Sequence, residues 1–99
     1  KRVIMAIKLA KKYLQSDKYS YIWKRDNGDG EYAGKLDRIK VDKDEGYEVQ
    51  YFIQTLMNKY ELTKVSDANK IEDELQSPAL SSTVMRDKLM GMIASNLSL

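Results

Sequence analysis

The sequence contains no cysteine and no histidine. Without cysteine there are no disulfides, thiolate nucleophiles or thiolate metal ligands, so nothing indicates an oxidising compartment, and the cytoplasm is the expected location. The lack of both residues excludes Ser-His and Cys-His nucleophile pairs and the common zinc sites. Most hydrolase mechanisms are therefore excluded, and we expect a protein that is not an enzyme and that holds no cofactor.

Long apolar runs are also missing. No stretch approaches the roughly 20 apolar residues needed to cross a bilayer, and the run that starts at Val3 is interrupted by Lys8. We therefore expect no membrane association. Proline occurs once and glycine five times, whereas 42% of the residues are apolar and 32% are charged. This composition predicts a single small domain over residues 1–99, because so short a chain cannot build two useful cores.

The net charge of +2 conceals an uneven distribution of charge along the chain. Residues 1–25 hold eight Lys or Arg and one Asp, whereas residues 26–76 hold seven Lys or Arg and thirteen Asp or Glu. Opposite charges could meet within one molecule, pair head to tail between two copies, or offer the basic end to a polyanion. The charge pattern leaves these three alternatives open.

Apolar residues near the beginning of the chain recur at helical spacing and predict an N-terminal amphipathic helix with a basic outer face. Lysines on such a face are ordinarily solvated and have no further role. The alternative is that they form an anion-binding surface. The cations that would contact a nucleic acid are Lys8, Lys11, Lys12, Lys24 and Arg25.

Alternating aromatic residues on both sides of a glycine-rich turn predict a β-hairpin, with strands at about 19–25 and 31–41. The turn is centred on Asn27-Gly28 or on Asp29-Gly30, or it is a four-residue loop. Each version places one set of aromatic side chains on the same face: Tyr19, Tyr21, Trp23 and Tyr32. That face either packs into the core or forms an interaction surface, for a protein or for single-stranded nucleic acid.

Helical spacing predicts a long central helix at about 44–61. Two C-terminal helices follow, at about 67–76 and from Ser81 or Ser82 to about Asn96, so that residues 64–99 form a helical part of the domain. The predicted inward residues of the three helices are Val49, Phe52, Ile53, Leu56, Met57, Tyr60, Ala68, Ile71, Leu75, Met85, Leu89, Met92 and Ile93. The overall prediction is an α+β fold in which all helices pack on one face of the hairpin sheet.

Acidic residues occur in two groups. Asp42, Asp44, Glu45 and Glu48 stand at the start of the central helix, where capping and interaction with the helix dipole are their expected roles. A Mg²⁺ or acid-base site is the alternative for that group. The run 72–74 cannot face one point on a helix, and we expect it to lie on a solvated face.

No stretch of the sequence carries a motif specific enough to indicate a family. The leading hypothesis is a small non-catalytic protein-interaction or regulatory module, a homo-oligomer with a dimer favoured, and with an unidentified protein partner. An exposed sheet edge and the charge distribution favour self-association. The alternative is a nucleic-acid-binding protein that uses the basic helix and the aromatic hairpin. The third hypothesis is a small metal-dependent enzyme that uses Asp42, Asp44 or Glu48.

Overall fold

A computed structural model describes residues 9–23 and 40–99. In these ranges the structure consists of three helices, α1 (Gly46–Lys59), α2 (Val65–Leu75) and α3 (Arg86–Asn96), with 3-10 turns at Lys11–Tyr13 and Pro78–Leu80. Strand-like pairing among the described residues is limited to two isolated bridges, one parallel and one antiparallel. The predicted α+β fold with a hairpin sheet is therefore wrong, since the described part of the chain is helical.

The first predicted strand shows why the hairpin prediction failed. The Ile22 N–H donates to the Asp44 carbonyl, and the Gly46 N–H donates to the Ile22 carbonyl, both at 2.8 Å. Residues 21–23 are thus extended, but they pair with the turn before α1. Alternation of aromatic residues reports an extended backbone with one buried side, and it does not identify the pairing partner. Residues 24–39, which include most of the second predicted strand, lie outside the described residues.

The N-terminal helix prediction also changes. Residues 1–8 lie outside the described residues, and the part that follows forms only the 3-10 turn. The Leu9 N–H donates to Gln54 Oε1 at 2.8 Å, and the Leu9 carbonyl accepts from Gln50 Nε2 at 2.5 Å. Side chains of α1 thus bind the backbone groups that a helix at this position would use. Leu9 and Leu14 are buried against the helices.

Helix α1 confirms the prediction of a long central helix. The Glu45 carboxylate accepts the Tyr47 N–H at 2.7 Å, and Glu48 Oε1 accepts the Asp42 N–H at 3.0 Å. These bonds satisfy backbone donors at the start of the helix, which is the predicted capping role of the acidic residues. Five of the six predicted inward residues are buried, and Tyr60 is partly buried against the core.

Helix α2 is the central element of the packing, because it contacts α1, α3 and the first 3-10 turn. Its predicted inward residues Ala68, Ile71 and Leu75 are all buried. The fully buried side chains among the described residues are mainly large and apolar, and burial of each apolar one contributes about 1.5–3 kcal/mol. They are Val41, Val49, Phe52, Ile53, Leu56, Met57, Ile71, Leu75, Leu80, Leu89 and Ile93, together with Glu72.

Helix α3 begins later than predicted. The Val41 N–H donates to the Val84 carbonyl at 2.8 Å, and this pairing keeps residues 84 and 85 extended. The later start changes which residues face inward. Leu89 and Ile93 are buried as predicted, but Met85 and Met92 are 41% and 40% exposed. The prediction that both methionines are core residues is wrong, and Ala94 is buried on this helix as well.

Candidate functional site

Two adjacent carboxylates of α2, Glu72 and Asp73, bind the segment that contains the predicted aromatic strand. We call residues 15–23 the arm, and Glu72 with Asp73 the carboxylate pair. Six hydrogen bonds connect the two, and every donor belongs to the arm. The expectation that residues 72–74 form a solvated face is wrong for Glu72, which is fully buried.

Glu72 is held by one backbone amide and one phenol. The Gln15 N–H donates to both carboxylate oxygens, at 3.0 and 3.1 Å, and the Tyr21 hydroxyl donates to Oε2 at 2.6 Å. A buried carboxylate is costly unless hydrogen bonds replace its water, and these donors provide that replacement. Burial, together with the bond to Glu72, raises the pKa of Tyr21 well above its usual range, so that its hydroxyl remains a donor.

Asp73 gathers three arm side chains on one oxygen. Gln15 Nε2 and Lys18 Nζ each donate to Oδ1 at 2.9 Å, and the Tyr19 hydroxyl donates at 2.7 Å. Burial alone would raise the pKa of Asp73, but hydrogen bonds from Lys18, Tyr19 and Gln15 outweigh it and lower that pKa below its usual range. The same contact raises the pKa of Lys18. Asp73 is therefore held as the anion.

The aromatic side chains of the arm form a continuous row that ends on α1. Ring centroids are separated by 6.4 Å between Tyr19 and Tyr21, by 6.1 Å between Tyr21 and Trp23, and by 4.9 Å between Trp23 and Tyr47. The last two contacts are edge-to-face, a favourable geometry for aromatic rings. Three of the predicted surface aromatics are thus brought together, with Tyr21 and Trp23 packed against the core. Tyr32 lies outside the described residues.

The predicted basic contacts are only partly described. Lys12 is exposed, and its ammonium lies 5.3 Å from the centroid of the Tyr13 ring. The backbone of Lys11 belongs to the 3-10 turn. Lys8, Lys24 and Arg25 lie outside the described residues, so the structure does not test a basic surface made by all five.

The acidic turn before α1 is occupied by capping contacts. The Asp42 N–H donates to Glu48, and the Asp44 N–H donates to Asp42 Oδ1 at 3.0 Å. In the part of the chain that the structure describes, no group of three or more acidic, His or Cys side chains is arranged to hold a metal ion. These contacts give the third hypothesis, a metal-dependent enzyme, no support.

A cleft of about 400 Å³ lies between that turn and the end of α2. The Lys43 ammonium donates to the Leu80 carbonyl at 2.5 Å, and burial lowers the pKa of this lysine. Gln76 Nε2 donates to the Lys43 carbonyl at 2.9 Å, which joins the two walls. The Lys43 ammonium thus binds the backbone of the protein itself. We therefore interpret the contacts in this cleft as structural.

The outward side of α3 differs from that of α1 and α2 in having a glycine at its centre. We call Lys88, Gly91, Met92 and Ser95 the outer face of α3; all four are exposed. A Cβ atom built at Gly91 meets no heavy atom within 4 Å among the described residues. Sequence reasoning missed this surface, because Met92 was expected in the core. It missed Glu72 too, although the spacing of four from Ala68 indicates an inward position.

No protein-family model matches the chain, and no curated protein or solved structure is significantly similar to it. Among residues 9–23 and 40–99 there is no helix that combines the length and the apolar character needed to span a bilayer.

Proposed function

We propose that this protein is a small non-catalytic interaction module that self-associates through the outer face of α3. The observation that carries the proposal is Gly91. A glycine inside a helix costs about 1 kcal/mol relative to alanine, and a close contact within the molecule is the usual compensation. No described residue approaches Gly91, so the compensation would come from a second molecule.

The residues around Gly91 support a helix-to-helix contact. Ser95 follows Gly91 by four positions, so two small residues lie on the same side of the helix and permit two backbones to approach closely. Met92 provides a flexible apolar side chain beside them, of the kind that adapts to a partner surface. A second copy of α3 would present the same residues, which satisfies the requirement of a two-fold interface.

The aromatic side chains of the arm are less suited to this role while the arm is bound. The Tyr21 hydroxyl is engaged by Glu72, and the Trp23 indole packs on Tyr47 and on the start of α1. An interface uses side chains that are accessible before binding. The outer face of α3 therefore replaces the aromatic surface as the proposed contact.

The test compares mass by light scattering for Gly91→Ala and Met92→Ser with that of the unmodified protein. The proposal predicts a dimer at high micromolar concentration that Gly91→Ala weakens, although the same change favours the helix and raises the melting temperature. Met92 is 40% exposed in the monomer, so Met92→Ser would lose only part of the about 1.5–3 kcal/mol that full burial of such a side chain contributes, on each of the two copies. Every 1.4 kcal/mol lost lowers the affinity about tenfold. Val65→Ser is the matched control, because Val65 is similarly exposed but lies on α2.

Two outcomes would contradict the proposal: a monomer over the whole concentration range, or a dimer that neither α3 variant weakens. Absorbance at 260 nm recorded in the same run examines the alternative. Nucleic acid that co-elutes with the protein and is removed by high salt would favour the nucleic-acid-binding hypothesis.

A further inference from the structure

We propose that the arm is a latch, which the carboxylate pair of α2 holds closed and which opens as a unit, with the helices still folded, when the pair loses its charge. Opening would free Tyr21 and Trp23 and uncover the start of α1. The proposal concerns a change of conformation within one molecule, and it is independent of self-association through α3.

The polar contacts of the arm are concentrated on two adjacent residues. The donors come from Gln15, Lys18, Tyr19 and Tyr21, which are spread along the arm, whereas the acceptors are Glu72 and Asp73 alone. Beyond the pair, Gln76 Nε2 lies 3.4 Å from the Tyr21 hydroxyl. Because all these donors depend on two acceptors, neutralising the acceptors weakens every bond at once.

The apolar side chains of the arm are also less deeply buried than those of the core. The backbone pairing with the turn before α1 consists of two hydrogen bonds around Ile22, whose side chain is 56% exposed. Tyr21 and Trp23 are only partly buried, whereas the neighbouring Leu14 is 4% exposed and anchors the chain on the core. Segments with few buried apolar contacts open at lower free energy than the core does.

The groups that bind the carboxylate pair are hydrogen-bond donors, and one of them, Lys18, is a cation. On the arm the titratable groups bonded to the pair are the Lys18 ammonium and the two phenols of Tyr19 and Tyr21, and the arm also contains the exposed Asp17. Gln76, on α2 itself, is neutral. The turn before α1 contributes Lys43, whose ammonium donates to the Leu80 carbonyl. Each donor binds a carboxylate more strongly than a neutral acid or amide.

The experiment uses Trp23, the only tryptophan of the chain, as a local reporter. The double variant Glu72→Gln, Asp73→Asn is compared with the unmodified protein at neutral pH by tryptophan emission, acrylamide quenching and far-ultraviolet circular dichroism. The expected result is an emission maximum at longer wavelength and quenching close to that of the urea-unfolded chain, with the helical signal unchanged. Glu74→Gln is the matched control, because Glu74 is on the same helix but bonds Asn96 and not the arm.

An acid titration of the unmodified protein keeps the test decisive if the double variant fails to fold. The latch predicts that the Trp23 signal changes at a higher pH than the helical signal. A single coincident transition would show that the arm is an integral part of the cooperative fold and would overturn the proposal. A folded double variant with unchanged Trp23 emission would overturn it as well, because the carboxylates would then not be what holds the arm.

Discussion

The indole of Trp23 lies directly on the backbone of Gly46. A Cβ atom built at Gly46 would be 2.5 Å from both Cδ2 and Cε2 of the ring, well inside van der Waals contact. Gly46 is also the first residue of α1, and its N–H donates to the Ile22 carbonyl. The absence of a side chain at position 46 is therefore what allows the arm to reach the start of the helix.

The first prediction is that Gly46→Ala destabilises the fold. The added methyl group forces either the indole or the helix start to move, and overpacking of this kind costs about 1–3 kcal/mol. The measurement is the free energy of unfolding from urea titration, followed by circular dichroism.

Gly91→Ala is the matched control for that substitution. The same chemical change at an exposed helical position with open space is expected to stabilise the monomer by about 1 kcal/mol. In addition, Gly46→Ala made in a Trp23→Ala background should cost much less than in the unmodified protein. An equal cost in the two backgrounds would mean that the indole is not the source of the strain.

The second prediction concerns the Tyr21 hydroxyl. Tyr21→Phe removes the shorter of the two arm contacts to a carboxylate that has no exposure to water, and a hydrogen bond to a charged group contributes about 1.5–3 kcal/mol. We expect a loss of stability in that range. Tyr19→Phe should cost less, because Asp73 is partly solvated and keeps two other donors. Similar losses for the two variants would contradict the distinction drawn between the two carboxylates.

Features of the fold that depend on neighbouring residues could be predicted from the sequence, whereas those that depend on distant residues could not. Helix α1 was predictable, because its apolar residues repeat at intervals of three and four and acidic residues cap its start. The aromatic alternation of residues 19–23 corresponds to an extended backbone only at residues 21–23, and no hairpin strand forms among the described residues. The partner of residues 21–23 could not be predicted, since pairing with the turn before α1 depends on Gly46 and Glu72, which are distant in the sequence.

The candidate sites were less predictable than the helices. Met85 and Met92 fit a helical stripe, but their burial depended on where α3 begins, and a bridge to Lys40 determines that position. In the sequence alone, Gly91 indicates only a position of low helix propensity. The role of a glycine or a charged residue in a helix depends on whether other side chains cover it. That information comes from the structure and not from the sequence.

The third prediction is a loss of stability at both extremes of pH, with separate causes. The pKa of Asp73 is lowered in the folded state, so its contribution is present above the unfolded pKa, about 4, and is lost as the pH falls through the folded value. The pKa of Tyr21 is raised in the folded state, so its contribution is present below about 10 and is lost as the pH rises above that value. Urea titrations across the pH range measure both effects.

Two variants test which residue causes the loss of stability at acid pH and which causes it at alkaline pH. We call these two parts of the plot of unfolding free energy against pH the acid limb and the alkaline limb. Asp73→Asn should flatten the acid limb. Tyr21→Phe should reduce the slope of the alkaline limb, to which Tyr19 and Lys18 also contribute because their pKa values are raised too. Tyrosinate absorbance provides a second readout, because Tyr21 should ionise only when the arm is released or the chain unfolds. A phenol that titrates fully in the folded protein at its ordinary pKa would contradict the burial of the Tyr21 hydroxyl.

The fourth prediction concerns Glu61, which follows the C-cap of α1 and has a φ of 57°. The Leu62 N–H donates to the Met57 carbonyl at 2.8 Å, and the Glu61 N–H donates to the Asn58 carbonyl at 3.4 Å. This is the Schellman arrangement, in which the residue after the C-cap takes a left-handed conformation and is usually glycine. Ser98, with a φ of 58°, holds the same position after α3.

Glu61→Gly should therefore stabilise the fold, which is unusual for a substitution to glycine. Glycine avoids the steric cost of the left-handed conformation, which is about 1–2 kcal/mol for other residues. Part of this gain in the free energy of unfolding is lost, because glycine has more conformational freedom in the unfolded chain. The expected net gain is about 0.5–1 kcal/mol in urea titrations. Thr63→Gly, two positions on and without a positive φ, should be neutral or destabilising. A loss of stability in Glu61→Gly would mean that contacts of the Glu61 side chain outweigh the backbone cost at this position.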